Sequence, residues 1–434
     1  MNQSKRMPWL VLLAVLLGMA RVCLATAEDP PIVIRGGTFL TATGAVIENG
    51  RLLIEQGKIT AIGLNIAIPD RARIIEAGGH FITPGLIDAF TNLGIARIET
   101  GENDSDEAAE PLTPQLDVYD ALDPDNEFIS LARESGVTMA LVAPVEGNLL
   151  AGRSALVRLL GSTVEEMKID SPAAGHGSLG EIPKMRFGPN NRLPSTRMGE
   201  AAMLRQTLVD ASQYMEKIQK YEHDLINHRQ KEKAGKARNI DAPVPPDPDA
   251  KLQALMPVLK GEQPLVLRAN RLDDILSALR IAAEFRLRLI ISGGADAHKV
   301  ADRLAAAKIP VILAPLSLPH QRLETRGEAL ENAARLQRAG VRIAFQTGSF
   351  RQCQQLLAQA QLAVAGGLSQ TDALRALTLN PAEIFGVADR FGSLTVGKSA
   401  DLVIFSSDPF SGPARVVTVI INGRPIESRS RRTP

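Results

Sequence analysis

The six histidines and two cysteines of this 434-residue chain are its main candidates for metal binding or proton transfer, and each can be placed by its local sequence. His80 precedes an apolar run and so stands ahead of a strand rather than after one. His176 lies in a glycine-rich stretch that reads as a loop. His223 and His228 fall in a strongly charged helical run, where solvation is the ordinary fate of a histidine. His298 opens a helix, and His320 sits in a loop after a strand. Cys353 lies on an expected helix over 351–366, where a buried small hydrophobe is the more natural role than a nucleophile. Other chemistry has no signature, for there is no Gly-x-Ser-x-Gly elbow, phosphate-binding loop or Cys-x-x-Cys pair. Asp88 closes an apolar run, where a carboxylate either holds the strand end by hydrogen bonds or faces a site.

The elements that must position these residues follow from periodicity. Short β-rich runs, Ile32 to Ile34, Thr38 to Thr41, Gly50 to Glu55 and Lys58 to Ile62, are separated by Gly36-Gly37, Asn49-Gly50 and Gln56-Gly57, residues that tolerate the positive φ of hairpins. The C-terminal stretch repeats the pattern, with strands at 400–405 and 416–421 and a turn at Asn422-Gly423. Neither piece can bury a core alone, so both ends are expected to build one small β-sandwich domain from residues 28–80 and 391–434. Between them, seven apolar strand candidates run Ile82 to Asp88, Thr138 to Ala143, Ser154 to Leu159, Pro264 to Arg268, Leu287 to Ser292, Ile309 to Leu313 and Val341 to Gln346. Helical patterns such as Asp273 to Phe285, Ala301 to Ala307 and Gly327 to Ala339 separate most of them. Continuous apolar strands alternating with helices predict a parallel sheet, and at this length an α/β fold of the TIM-like (β/α)8 barrel type over 81–390. The fourth strand is hidden between Met167 and Met198. Leu204, Leu208, Ala211, Met215 and Ile218 predict a helical excursion near 200–250, closed by the proline-rich Ala242 to Pro248.

The N-terminus reads as a signal peptide over 1–27. Lys5 and Arg6 precede the apolar run Trp9 to Ala20, and Ala25-Thr26-Ala27 offers a cleavage site. Ala20-Arg21-Val22 makes Cys23 a poor lipid-attachment site. The expected location is therefore periplasmic or secreted, with no membrane span after cleavage. Loss of Lys5, Arg6 and Arg21 takes the net charge from +1 to −2, which argues against nucleic acid as a partner. Cys353 alone remains, so no internal disulfide is expected.

Phe81-Ile82-Thr83-Pro84-Gly85-Leu86-Ile87-Asp88-Ala89 resembles the entry strand of the amidohydrolase superfamily, in particular its imidazolonepropionase-like exported bacterial members. Thr378-Leu379-Asn380-Pro381-Ala382, Gly386, Gly392-Ser393, Gly397-Lys398 and Ala400-Asp401-Leu402-Val403 are similar to its exit. Gly136-Val137-Thr138 and Pro194 to Gly199 fit as well, so the likeness covers nearly the whole chain after residue 27. In these matches Asn380-Pro381 is expected to cap and start a helix. The resemblance implies metal-dependent hydrolysis of non-peptide C–N bonds, in cyclic amides or dipeptide-like substrates. Zinc or another divalent ion would sit at the C-terminal mouth of the barrel and activate water. It also implies the ligands: a His-x-His after strand one, single histidines on strands five and six, an aspartate on strand eight and, in some members, a lysine or glutamate on strand four.

At those places the chain reads Phe90-Thr91-Asn92, Leu267-Arg268-Ala269-Asn270, Ile291-Ser292-Gly293 and Gln346-Thr347-Gly348. Phenylalanine cannot ligate, an asparagine amide is a poor zinc ligand, and Arg268 carries a fixed positive charge. Of the histidines, only His298 and His320 are placed to reach the mouth. The expectation is a pseudoenzyme without catalytic residues, metal or cofactor, which binds a partner or takes a small-molecule ligand at its mouth. Arg268, Asn270, Asn92, Gln346 and Asp88 would line that site, and a carboxylate would be the ligand. The competing role for Arg268 is an internal ion pair with an acid such as Asp88. Two alternatives stay open: an active hydrolase with an unusual or metal-independent site, and an assembly role as a homo-oligomer or beside an intact relative.

Overall fold

The computed structural model describes residues 30–97, 101, 103–234, 241–316 and 322–426. The expected signal peptide and His320 lie outside the described residues. Strands β1 (Ile32–Leu40), β2 (Val46–Glu55), β3 (Lys58–Gly63), β4 (Arg73–Glu76) and β5 (Phe81–Pro84) open the described chain. The turns behave as their residues suggest, with positive φ at Asn49, Gln56 and Gly57. The barrel strands follow: β6 (Leu86–Thr91), β7 (Val137–Val142), β8 (Gly152–Arg158), β9 (Lys168–Ser178), β10 (Leu265–Ala269), β11 (Leu289–Gly293), β12 (Val311–Leu313) and β13 (Ile343–Phe345). Then β14 (Leu402–Phe405), β15 (Val416–Ile421) and β16 (Arg424–Ile426) return to the first sheet, whose order is β16-β15-β14-β5-β1-β2-β3, with β4 beside β1. The two ends of the chain thus build one small β-domain, around Ile34, Phe39, Leu52, Ile82, Leu402 and Ile404.

The second sheet runs β6 to β13 in chain order and forms a nearly closed TIM-like barrel. At the seam, Gly348 N–H donates to the Phe90 carbonyl at 3.1 Å. Four expectations need correction. The run 82–88 is two strands, because Gly85 crosses from one sheet to the other; a Cβ there would lie 2.1 Å from Thr138 Oγ1. The barrel is not all-parallel, since β8 pairs antiparallel with both β7 and β9. Residues 143–151 joining β7 to β8 contain no helix and are too short for a parallel crossover. The missing fourth strand is β9, so His176 lies on a strand and not in a loop. Finally, Thr378 rather than Asn380 stands at the N-cap of the helix Leu379–Ile384, and Asn380 Nδ2 donates to the β13 carbonyl of Ile343 at 2.8 Å.

The excursion is a 37-residue helix, Arg197–Lys233, capped by Thr196 Oγ1 accepting from Gly199 N–H. Its first half buries Leu204, Leu208 and Ala211 against the barrel, while most of its charged second half is exposed. Ahead of the helix Leu356–Ala365, Cys353 is buried, and desolvation pushes its thiol up to about 12. Cys353 thus stands before the helix rather than on it, and its burial suits a small hydrophobe. Among the described residues, no helix is long and apolar enough to cross a membrane.

Candidate functional site

The period of two along a strand decides what faces the inside of the barrel. Ala174, Val266, Ile290, Ile312 and Ala344 form an apolar layer there. Two residues further toward the strand ends come His176, Arg268, Ser292, Ala314 and Gln346, a mostly polar layer on top of it. Pairing places Ser178, Arg268 and Ser292 side by side across β9, β10 and β11. Above them opens a cleft of about 230 Å³, whose walls include Phe90, Glu146, Arg268, Arg322, Gln346 and Gln352. It lies at the C-terminal ends of the strands, where barrel proteins place their ligand sites.

Arg268 is the centre of charge. Its Nη1 lies 3.4 Å from Glu146 Oε2 and its Nη2 lies 3.8 Å from Glu324 Oε1. Both carboxylates are buried, Glu146 at 4% and Glu324 at 2% exposure. Burial pushes the Glu146 carboxyl above its ordinary range, against the pull of Arg268. Glu324 also accepts from Asn270 Nδ2 at 3.3 Å and from the Glu181 backbone N–H at 2.9 Å. A second pair, Arg197 Nε with Asp274 Oδ1 at 2.6 Å, lies close by, since Asp274 and Glu324 both crowd the Cβ position of Gly180.

The five residues expected to share the mouth separate into two groups. Arg268 and Gln346 line the cleft. Asn270 is turned to Glu324. Asn92 accepts from Phe350 N–H at 2.7 Å and donates to Ser105 Oγ at 3.3 Å, holding the loop after β6 to the turn after β13. Asp88 accepts from Thr347 N–H at 3.0 Å, from the Thr347 hydroxyl and from Phe90 N–H at 3.3 Å. It is not the partner of Arg268. Buried at 2% exposure, its carboxyl is pushed up to about 7 by desolvation.

Sequence reasoning missed three residues here. Glu146 sits in a loop and Glu324 in the single 3-10 turn Leu323–Thr325, and no local signal marks either as a partner of Arg268. His176 is buried at 1% exposure beside Phe90, with ring centroids 5.7 Å apart, and neither ring nitrogen has a hydrogen-bond partner among the described residues. Burial pushes it down to about 3, so it is neutral. His298 lies in the turn Ala297–Val300 after β11, half-buried, and burial lowers it too.

This barrel and its small β-domain superpose on an amidohydrolase from Thermotoga maritima MSB8 with a TM-score of 0.82 and 33% identity, over 92% of this chain and 100% of that one. The chain belongs to the amidohydrolase superfamily. A model of the amidohydrolase family matches residues 285–426. Amidohydrolase tasK of Hapsidospora irregularis is 24% identical over 395 residues, 86% of this chain but 39% of that protein. An adenine deaminase of Listeria monocytogenes is 32% identical over 110 residues, 25% of this chain and 17% of its own length. The chain thus spans well under half the length of these curated relatives. A prolidase solved with N-methylphosphonate-L-proline shares the fold at TM-score 0.54 and 16% identity. Membership supports a hydrolase-type function. Among the described residues, no group of three or more His, Cys, Asp or Glu side chains is arranged to hold a metal ion.

Proposed function

We propose that this superfamily member binds a small polar molecule at the mouth of its barrel without a catalytic divalent metal. The observation that carries the reading is Arg268, whose guanidinium stands at the strand-five ligand position and is paired with the buried Glu146 and Glu324. A fixed cation there repels a divalent ion, and it engages the two carboxylates that could otherwise have served one. The donor set around it does not fit the superfamily's metal either. Phe90 offers a ring, Asn92 spends its amide on Phe350 and Ser105, and Gly348, at the strand-eight aspartate position, has no side chain. Elemental analysis of the dialysed full chain should find well under one equivalent of transition metal. Stoichiometric zinc or manganese would overturn the reading.

The double substitution Phe90→His with Asn92→His is expected to give no zinc-dependent hydrolysis, because strands five, six and eight still lack ligands and Arg268 stays in place. It should also lose the Asn92 bond to Phe350, so thermal denaturation must be read beside activity. Zinc-dependent turnover by that variant would mean that other ligands complete the site. A metal-independent hydrolase is the second reading, and Glu146 favours it: a buried acid in the cleft wall, held above its usual proton affinity, suits general acid–base work. Turnover of amide, lactam or dipeptide substrates by metal-free protein, lost in Glu146→Gln, would select it.

A further inference from the structure

The opposite end of the barrel holds a larger groove, of about 780 Å³, between the starts of β10 to β13 and the ends of the helices Leu272–Phe285 and Ala301–Ala306. Its rim carries Arg280, Arg286, Arg288, Arg303, Lys308 and Arg342, all of them exposed. The single carboxylate in the lining, Glu383, is already paired with Arg342 at 2.9 Å. The other five cations form no ion pair among the described residues. The whole chain carries a net charge of only +1, so this is a local concentration and not a reflection of composition. Between the charges the lining is apolar, with Leu287, Ile309 and Pro310 among its residues.

Two of the cations occupy unusual backbone. Arg286 and Lys308 follow the two helices with φ of 56° and 54°, the left-handed region where glycine or asparagine is the low-cost residue. Helix dipoles favour basic side chains near C-termini, which accounts for one charge at each helix end. They do not account for Arg288, which precedes β11 and whose Nη1 donates to the Gly261 and Glu262 carbonyls at 3.3 and 3.1 Å, while Arg342, which precedes β13, is held by Glu383. We propose that this groove binds a small organic molecule bearing two or more phosphate-class groups. Clustered guanidinium groups match phosphate oxygens in bidentate fashion, and several cations around one concavity call for several anionic groups. The apolar surface between them suits an organic body, and the volume lies within the range of small-molecule sites. The site is independent of the mouth and stands whether or not the metal-free reading holds.

Calorimetry of the full chain at low salt with ATP, inorganic tripolyphosphate and adenosine tests this directly. ATP should bind more tightly than tripolyphosphate, adenosine should not bind, and the affinity for ATP should fall steeply as salt is added. Arg286→Gly and Lys308→Gly remove charge while suiting the left-handed backbone, so both variants should fold with melting temperatures close to that of the parent. Each should weaken ATP binding by roughly tenfold or more, the scale of a lost hydrogen bond to a charged group. The absence of ATP and tripolyphosphate binding, or an affinity unchanged in both glycine variants, overturns the proposal. Sedimentation with phosphatidylglycerol vesicles in place of ATP binding would overturn the assignment to a soluble ligand.

Discussion

Replacing Arg268 by methionine should destabilise the fold by about 3–5 kcal/mol near neutral pH, the usual cost of removing one partner from a buried ion pair. The substitution keeps most of the apolar stem and removes the only cation among the described residues within 4 Å of either Glu146 or Glu324. Two buried carboxylates would then face each other without a counter-charge. Burial already pushes Glu146 toward protonation, and loss of Arg268 pushes it further the same way. The folded variant therefore holds a proton that the unfolded chain releases, and its deficit should shrink as pH falls. Urea denaturation at pH 5 and pH 8 reads both effects. Combining Arg268→Met with Glu146→Gln and Glu324→Gln should recover much of the loss, because no buried charge is then left unpaired. A single Arg268→Met change within about 0.5 kcal/mol of the parent, the ordinary surface range, would show that the pair is solvated and structurally idle.

The second large effect is a pH dependence from Asp88. Its ordinary value of 3.8 applies to the unfolded chain, and burial pushes the folded value up to about 7. Between those limits the folded state holds one proton more than the unfolded state, so the contribution of Asp88 is complete below about 3.8. It declines as pH rises and is lost on passing about 7. The slope is about 1.4 kcal/mol per pH unit. His176 acts in the opposite sense. Its folded value, pushed down to about 3 from 6.5, gives a contribution complete above 6.5 and lost as pH falls toward 3. The two slopes oppose each other from about pH 4 to 6.5, so the profile of the parent protein alone conceals both. Asp88→Asn removes only one of them. Asparagine Oδ1 can still accept from the backbone of Thr347 and Phe90, and its amide can donate to the Thr347 hydroxyl, so the packing survives. Relative to the parent, Asp88→Asn should gain stability steadily between pH 4 and 7, by up to ~4 kcal/mol over the interval. Parallel curves for the two proteins would mean that Asp88 is charged throughout and that its hydrogen bonds outweigh its burial.

Much of the architecture was readable because it rests on local rules. Asn49-Gly50 and Gln56-Gly57 turn where glycine-compatible backbone is needed. The barrel strands carrying Val266, Ile290 and Ile312 announce themselves as short apolar runs between helices. β9 is different: residues 173–177, Ala-Ala-Gly-His-Gly, contain none of the strand-favouring residues Val, Ile, Thr, Phe, Tyr or Trp. Its strand conformation comes from pairing with β8 and β10, and small residues are needed where neighbours press in. A Cβ on Gly177 would come within 2.2 Å of the Leu149 carbonyl oxygen. Those same small residues disguised His176 as part of a loop. The reversed β8 escaped notice for a related reason, because an apolar run gives a strand's burial and not its direction.

The sequence by itself determined which side chains are missing from the strand ends. Phe90, Asn92, Ser292 and Gly348 are set by residue type, and none of them is a histidine or a carboxylate. It also determined the face on which Arg268 sits, since the period of two is a property of the strand alone. Only the tertiary structure decided what Arg268 meets there. Glu146 and Glu324 lie 122 and 56 residues away, in the connections after different strands, and closure of the barrel brings both to one guanidinium. Burial then raises the proton affinities of Glu146 and Asp88 and lowers that of His176. The physical reason is that a side chain's charge belongs to the residue, whereas the solvent and partners that set its energy belong to the fold.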